Sequence, residues 1–230
     1  MTSIEALIDR QLTRRQLLER AQLARPPAGE VKPARLRVIT VSRETGSGGR
    51  TLAGRLAQAL KYEFIDRQIV DQLVEDTGAR ERLIASLDER TRNGVVLWVE
   101  GILTGRYIDR SEYTHALCKT ITTLAEHGDA VILGRGANVI LGPRGGLHVR
   151  VVAPPEMRVQ NLMRHMGMTP RQAQEHVKLN DEDRRRFYAD VLHADIDNPN
   201  DYHMVINTGR VSLDVAQELV LLAWEKYLKS

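Results

Sequence analysis

At 230 residues, 42% hydrophobic and 27% charged, the chain suits one sizeable soluble domain with a short appendage. An aromatic content of 4% leaves little for stacking single-stranded nucleic acid, and no apolar run reaches membrane-spanning length. The start, Met1-Thr2-Ser3-Ile4-Glu5, lacks the basic region and apolar core of a secretion signal, and the single cysteine, Cys118, excludes an intrachain disulfide, so the reducing cytoplasm is expected.

Charge is uneven along the chain. Residues 1–37 hold eight Lys or Arg against four Asp or Glu, whereas the remainder holds 25 against 26. The basic balance thus belongs to an N-terminal arm, where a solvated amphipathic helix explains it, and nucleic acid is not an expected partner. Ile4, Leu7, Ile8 and Leu12, then Leu17, Leu18 and Ala21, recur at helical spacing and predict a helix over about residues 3–24. Arg25-Pro26-Pro27-Ala28-Gly29 reads as a linker. The helix packs on its own domain or on a second copy in a homodimer; the sequence leaves both open. The expected division is residues 1–30 as helix and linker and 31–230 as the main domain.

Strand and helix signals then alternate. Arg37-Val38-Ile39-Thr40-Val41 is β-branched and reads as a buried strand. The spacing of Leu52, Ala53, Leu56, Ala57 and Leu60 predicts a helix over 51–60. Residues 62–65 form a short strand and 67–74 a helix. Residues 80–127 read as mainly helical, most clearly from Glu112 to His127. Further strands are expected at 130–133, 147–152 and 203–206. Helices start near Pro154 and Pro170, the latter capped by Thr169, and a last helix covers 213–228 behind Ser212. Such alternation predicts an α/β domain on a parallel sheet, whose ligands sit beyond the carboxyl ends of the strands. The turns after Val41, Ile65 and Leu133 are therefore the places to look.

The strongest signal is the first of these turns, Ser42-Arg43-Glu44-Thr45-Gly46-Ser47-Gly48-Gly49-Arg50. Gly46, Gly48 and Gly49 allow positive φ and close backbone approach, so that successive N–H groups and the following helix dipole can cradle a phosphate. Arg50 stands at the helix start, where a cation is unfavourable unless it meets an anion. Against the pattern Gly-x-x-x-x-Gly-Lys-[Ser/Thr], aligned on Gly48, Arg43 replaces the first glycine, Gly49 the lysine and Arg50 the hydroxyl residue. Arg50, Arg43 or both would then supply positive charge, and Ser47 or Thr51 the metal-facing hydroxyl. Gly134-Arg135-Gly136 presents an arginine suited to bidentate phosphate binding. Asp181 and Arg184 share a helix face and can pair, while Arg185 and Arg186 read as solvated. Asp66 is either a ligand for Mg²⁺ or substrate, or the N-cap of the next helix. The seven histidines show no metal-ligand spacing, and Cys118 reads as structural.

These residues in order, with Phe64-Ile65-Asp66, Val131-Ile132-Leu133-Gly134-Arg135-Gly136, Asp181-x-x-Arg184-x-x-Phe187-Tyr188 and residues 202–208, resemble the cytidylate kinase-like family over about 36–228. The resemblance implies a three-layer P-loop nucleoside-monophosphate-kinase fold, with a five-stranded parallel sheet and an arginine-bearing helical lid. It implies ATP–Mg²⁺ as donor and a nucleoside monophosphate or similar small phosphorylated acceptor, with Thr51 and Asp66 toward the metal and Asp66, Arg135, Asp181 and Arg184 toward the acceptor. Relative to cytidylate kinases proper, Leu133 stands at an acidic position, and only Asp66 is kept of the motif after the second strand. The expected chemistry is in-line phosphoryl transfer. In it Arg43 and residues 46–51 hold donor phosphates, and Arg50, Arg135 and Arg184 neutralise charge; an arginine closing on the transferring group can be worth roughly a thousandfold in rate. The alternative is a nucleotide-binding regulator without turnover.

Overall fold

The structure is a computed structural model and describes residues 3–23, 36–105, 111–143 and 145–229, without the side chains of 14–23. The expected linker at 25–29 lies outside the described residues. Five parallel strands form one sheet: β1 (Val38–Arg43), β2 (Glu63–Ile65), β3 (Ala130–Leu133), β4 (Leu147–Val152) and β5 (Met204–Asn207), in the order β2-β3-β1-β4-β5. The helices are α1 (Ile4–Leu23), α2 (Gly49–Leu60), α3 (Arg67–Glu75), α4 (Thr77–Ala85), α5 (Glu89–Gly105), α6 (Glu112–His127), α7 (Ala137–Leu141), α8 (Pro155–Met166), α9 (Pro170–Leu192) and α10 (Leu213–Lys229).

Helices cover both faces of the sheet, and the residues of β1 and β3 alternate between two cores, while β4 turns Leu147, Val149 and Val151 to one of them. Val38 and Ile132 join Leu73, Leu117 and Ile121 of α3 and α6 on one side. Ile39, Val41, Val131 and Val149 join Leu52, Leu56 and Trp224 of α2 and α10 on the other. The result is the expected three-layer architecture. Cys118 is buried in the first core, and burial pushes its thiol up to about 11. Leu7 and Ile8 of α1 are in that same core, so the N-terminal helix packs on α3 and α4 of its own chain.

Two local readings change. The first strand continues through Ser42 and Arg43, which pair with Arg150 and Val151 of β4, so the turn starts at Glu44. Helix α7 carries no amphipathic period in the sequence because all five of its residues are buried. A hairpin of α8 and α9 has its own small core of Leu162, Ala173 and Val177 and sits beside the carboxyl end of β1. Thr169 closes α9 with a capping box, accepting from the N–H of Gln172 while Gln172 Oε1 accepts from the N–H of Thr169 at 3.0 Å. Thr169→Ala is expected to cost about 1 kcal/mol, a fall in Tm of roughly 3 °C by scanning calorimetry for a chain of this size.

Candidate functional site

The turns after β1, β2 and β3 open at the same end of the sheet. Gly46 and Gly48 have φ of +79° and +81°. A Cβ on Gly46 would stand 2.5 Å from the backbone oxygen of Arg158, so glycine there lets α8 close on the loop. Gly48 provides no side-chain cap for α2, leaving the first N–H groups of that helix toward a cleft lined by residues 43–51. The loop is held from four directions. The amide of Asn161 donates to the Gly46 oxygen at 2.8 Å and the hydroxyl of Thr208 to the Ser47 oxygen at 2.7 Å. Glu44 Oε2 accepts from the N–H of Ala153 at 2.9 Å. Asp181 Oδ1 accepts from the N–H and hydroxyl of Thr45 at 2.9 and 2.8 Å.

Asp181 is the hub of this arrangement. Arg158 donates to its Oδ2, and Arg184 Nη1 donates to its Oδ1 at 2.9 Å and to the Thr45 hydroxyl. Burial acts to raise the Asp181 pKa, but the hydrogen bonds from Thr45 and Arg158 outweigh it and hold the carboxyl below its usual range. Arg184, paired with Asp181 as their spacing predicts, is thereby fixed against the loop.

Arg50 Nη2 lies 2.7 Å from Asp66 Oδ2, with its guanidinium over the Phe64 ring, so the cation at the helix start does meet an anion. Asp66 is the N-cap of α3, its Oδ1 accepting from the N–H of Gln68 and Ile69. Arg135 takes φ of +52° between its two glycines, pairs with Asp71 of α3 and stacks on Phe187. Arg185 pairs with Asp197, but Arg186 lines a cleft rather than being merely solvated, because positions 183, 186, 187 and 190 share one face of α9.

Arg43 has no hydrogen-bonded or acidic partner among the described residues. Burial, and then Arg184 beside it, pull its pKa down to about 10, so it stays charged at neutral pH and calls for an anion. Its side chain also leaves no room for a lysine at position 49: a Cβ on Gly49 would lie 2.5 Å from Arg43 Cβ. Its guanidinium rests against Gly134, where a Cβ would collide with Nη1.

Two clefts meet here. One, of about 520 Å³, runs along the loop and α8 past Asn161, Arg164 and Leu213. The other, of about 360 Å³, lies between Arg67, Arg135 and the α9 face bearing Asp183, Arg186 and Phe187. Arg43 and Arg184 line both. Sequence reasoning missed Arg67, Arg158, Asn161 and Thr208, of which only Arg67, four residues before Asp71 on a helix, carried a local signal.

A parallel sheet in this order, with a glycine-rich turn leading from β1 into α2 and a helical hairpin over it, defines a P-loop kinase-type fold. A family model described as the cytidylate kinase-like family matches residues 38–210, and the chain belongs to that family. It is similar to the cytidylate kinases of Halobacterium salinarum and Haloarcula marismortui, each 26% identical over 191 residues that span 83% of this chain and 90% of the relative. A solved structure of an uncharacterized protein from Eubacterium ventriosum shares the fold, with a TM-score of 0.64 at 19% identity over 84% of this chain and 99% of that one. The chain is thus a kinase-fold member of a nucleotide-binding P-loop family, and no helix among the described residues is long and apolar enough to cross a membrane.

In P-loop NTPases a loop hydroxyl and an aspartate hold Mg²⁺. The described residues around the loop do not fit that role. Arg50 takes the hydroxyl's place in the pattern, the buried Ser47 hydroxyl donates to the Glu44 backbone oxygen at 2.9 Å, and Thr51, one position later, lines the cleft with no carboxylate free to complete a metal site beside it. Asp66 has one oxygen committed to two N–H groups and the other to Arg50. Both Asp181 oxygens are likewise taken, and the described residues include no group of three or more His, Cys, Asp or Glu placed to hold a metal.

Proposed function

We propose that the protein is a cytoplasmic ATP-dependent phosphotransferase that moves the γ-phosphate to a nucleoside monophosphate or a similar small phosphorylated acceptor. The observation that carries this reading is the junction of the two clefts at Arg43 and Arg184, two cations that line both. The working unit is the domain of residues 31–230. Donor phosphates lie along the loop from Gly46 to Thr51, against the free N–H groups of α2. Arg135 takes the acceptor phosphate. Behind it, Arg135 Nε and Asp71 Oδ1 are buried without partners among the described residues, a cost that an acceptor's polar groups would relieve. Arg184 neutralises charge on the group in transit, and Asp181 and Asp66 act as positioning residues that hold Arg184 and Arg50.

Calorimetry with ATP, followed by coupled turnover with CMP, UMP, AMP and GMP, tests the proposal. The expected result is ATP binding and turnover with at least one monophosphate. ATP binding with no turnover on any acceptor would replace the kinase by a nucleotide-binding regulator, and absence of ATP binding would remove both.

A further inference from the structure

The residues that fail to fit a magnesium ion fail in one direction, with guanidinium groups standing where the metal and the lysine would be. Arg43 fills the space of a side chain at position 49. Arg50, at the hydroxyl position, reaches Asp66, the residue after β2, at 2.7 Å, so a cation already occupies the ground between loop and aspartate. The cleft along the loop is lined by four arginines, Arg43, Arg50, Arg164 and Arg184, and by one carboxylate, Glu44. That carboxylate is itself engaged by the Ala153 N–H and by Arg158 at 3.6 Å.

Arg50 and Arg184 are already paired with Asp66 and Asp181, so of the four only Arg43 and Arg164 have no acidic partner among the described residues. With those carboxylates taken, phosphate oxygens entering the cleft meet guanidinium N–H donors and no free metal ligand. Guanidinium also binds phosphate oxygens in a planar, bidentate way that a lysine cannot reproduce, so the substitution changes the mode of binding as well as its charge. Resting on the donor-site reading above, we propose that this cleft binds its nucleoside triphosphate free of a protein-held divalent cation, with Arg43, Arg50, Arg164 and Arg184 in the place of metal and lysine.

The test is ATP affinity of the full chain, by titration calorimetry, in excess EDTA and in saturating Mg²⁺. The EDTA affinity is expected to equal or exceed the Mg²⁺ affinity. An EDTA affinity weaker by more than about threefold would overturn the inference while leaving the donor site intact, whereas no binding in either condition would overturn the donor site and this inference together. In EDTA, Arg50→Ala is expected to weaken ATP binding about tenfold or more, and Arg50→Lys to recover part of the loss. Unchanged affinity in Arg50→Ala would overturn the assignment of Arg50 to the metal's place. A second readout uses Mn²⁺: adding protein to Mn²⁺–ATP is expected to leave the free Mn²⁺ signal in electron paramagnetic resonance constant or to raise it, and a falling signal would overturn the inference.

Discussion

Asp181→Ala is expected to lower stability by about 3–5 kcal/mol, the cost of stranding buried charged partners, and to lose ATP affinity with it. The carboxylate accepts from the Thr45 N–H and hydroxyl and from two guanidiniums, Arg158 and Arg184. Without it both arginines face each other in a site that is 7% exposed at residue 181, and the loop loses one of its four supports. A Tm lower by roughly 10 °C or more is the expected reading by scanning calorimetry. Glu182→Ala, next door on the outer face of α9, is the control and is expected within about 0.5 kcal/mol of the parent. The pH dependence has a definite sign. The folded-state pKa of Asp181 is held down by the Thr45 and Arg158 hydrogen bonds against burial. Its contribution is therefore fully present above the unfolded value of about 4 and disappears as pH falls through the lower folded value. The stability gap between the parent and Asp181→Asn is expected to be constant from pH 7 to about pH 5 and to shrink below about pH 4. A gap that persists unchanged at the lowest pH would mean that the charge of Asp181 is not what holds the hub.

Much of this arrangement is legible in the sequence because it follows from local periodicity. The bounds of β3 coincide with its apolar run and those of β4 with the span its alternating apolar residues predict, and the caps at Asp66 and Thr169 lie where side-chain chemistry puts them. The ligand end of the sheet follows from strand–helix alternation alone. What the sequence hides are contacts with no period. Asp181 meets Thr45 across 136 residues, and Thr208 meets Ser47 across 161, so nothing near either residue announces the partner. Helix α7 escapes notice for a different reason: burial on every side erases the amphipathic stripe by which helices are recognised. Position 49 is the instructive case. Read along the chain, its glycine is the loss of a lysine; in three dimensions it is the condition for Arg43 to enter the site.

That relation makes Gly49→Lys, the substitution that would restore the standard P-loop residue, an expected loss rather than a gain. The new Cβ would stand 2.5 Å from Arg43 Cβ and 3.2 Å from Val151 Cβ. Neither neighbour can yield cheaply, since Arg43 is paired with Val151 in the β1–β4 ladder. Overpacking of this kind is expected to cost about 3 kcal/mol, measured by urea unfolding. Pushing Arg43 aside removes a charged contact to the nucleotide, so ATP affinity is expected to fall about tenfold or more. Arg43→Ala in the same chain would not relieve the collision, because alanine keeps the Cβ that is struck. Arg43→Gly removes it. The Arg43→Gly/Gly49→Lys chain is therefore expected to melt above the Gly49→Lys single variant and to regain part of the ATP affinity, with a coupling energy of about 1 kcal/mol or more in the double-mutant cycle. Tighter ATP binding by Gly49→Lys alone would show that the site tolerates lysine and arginine together, and that Arg43 does not stand in the lysine's place.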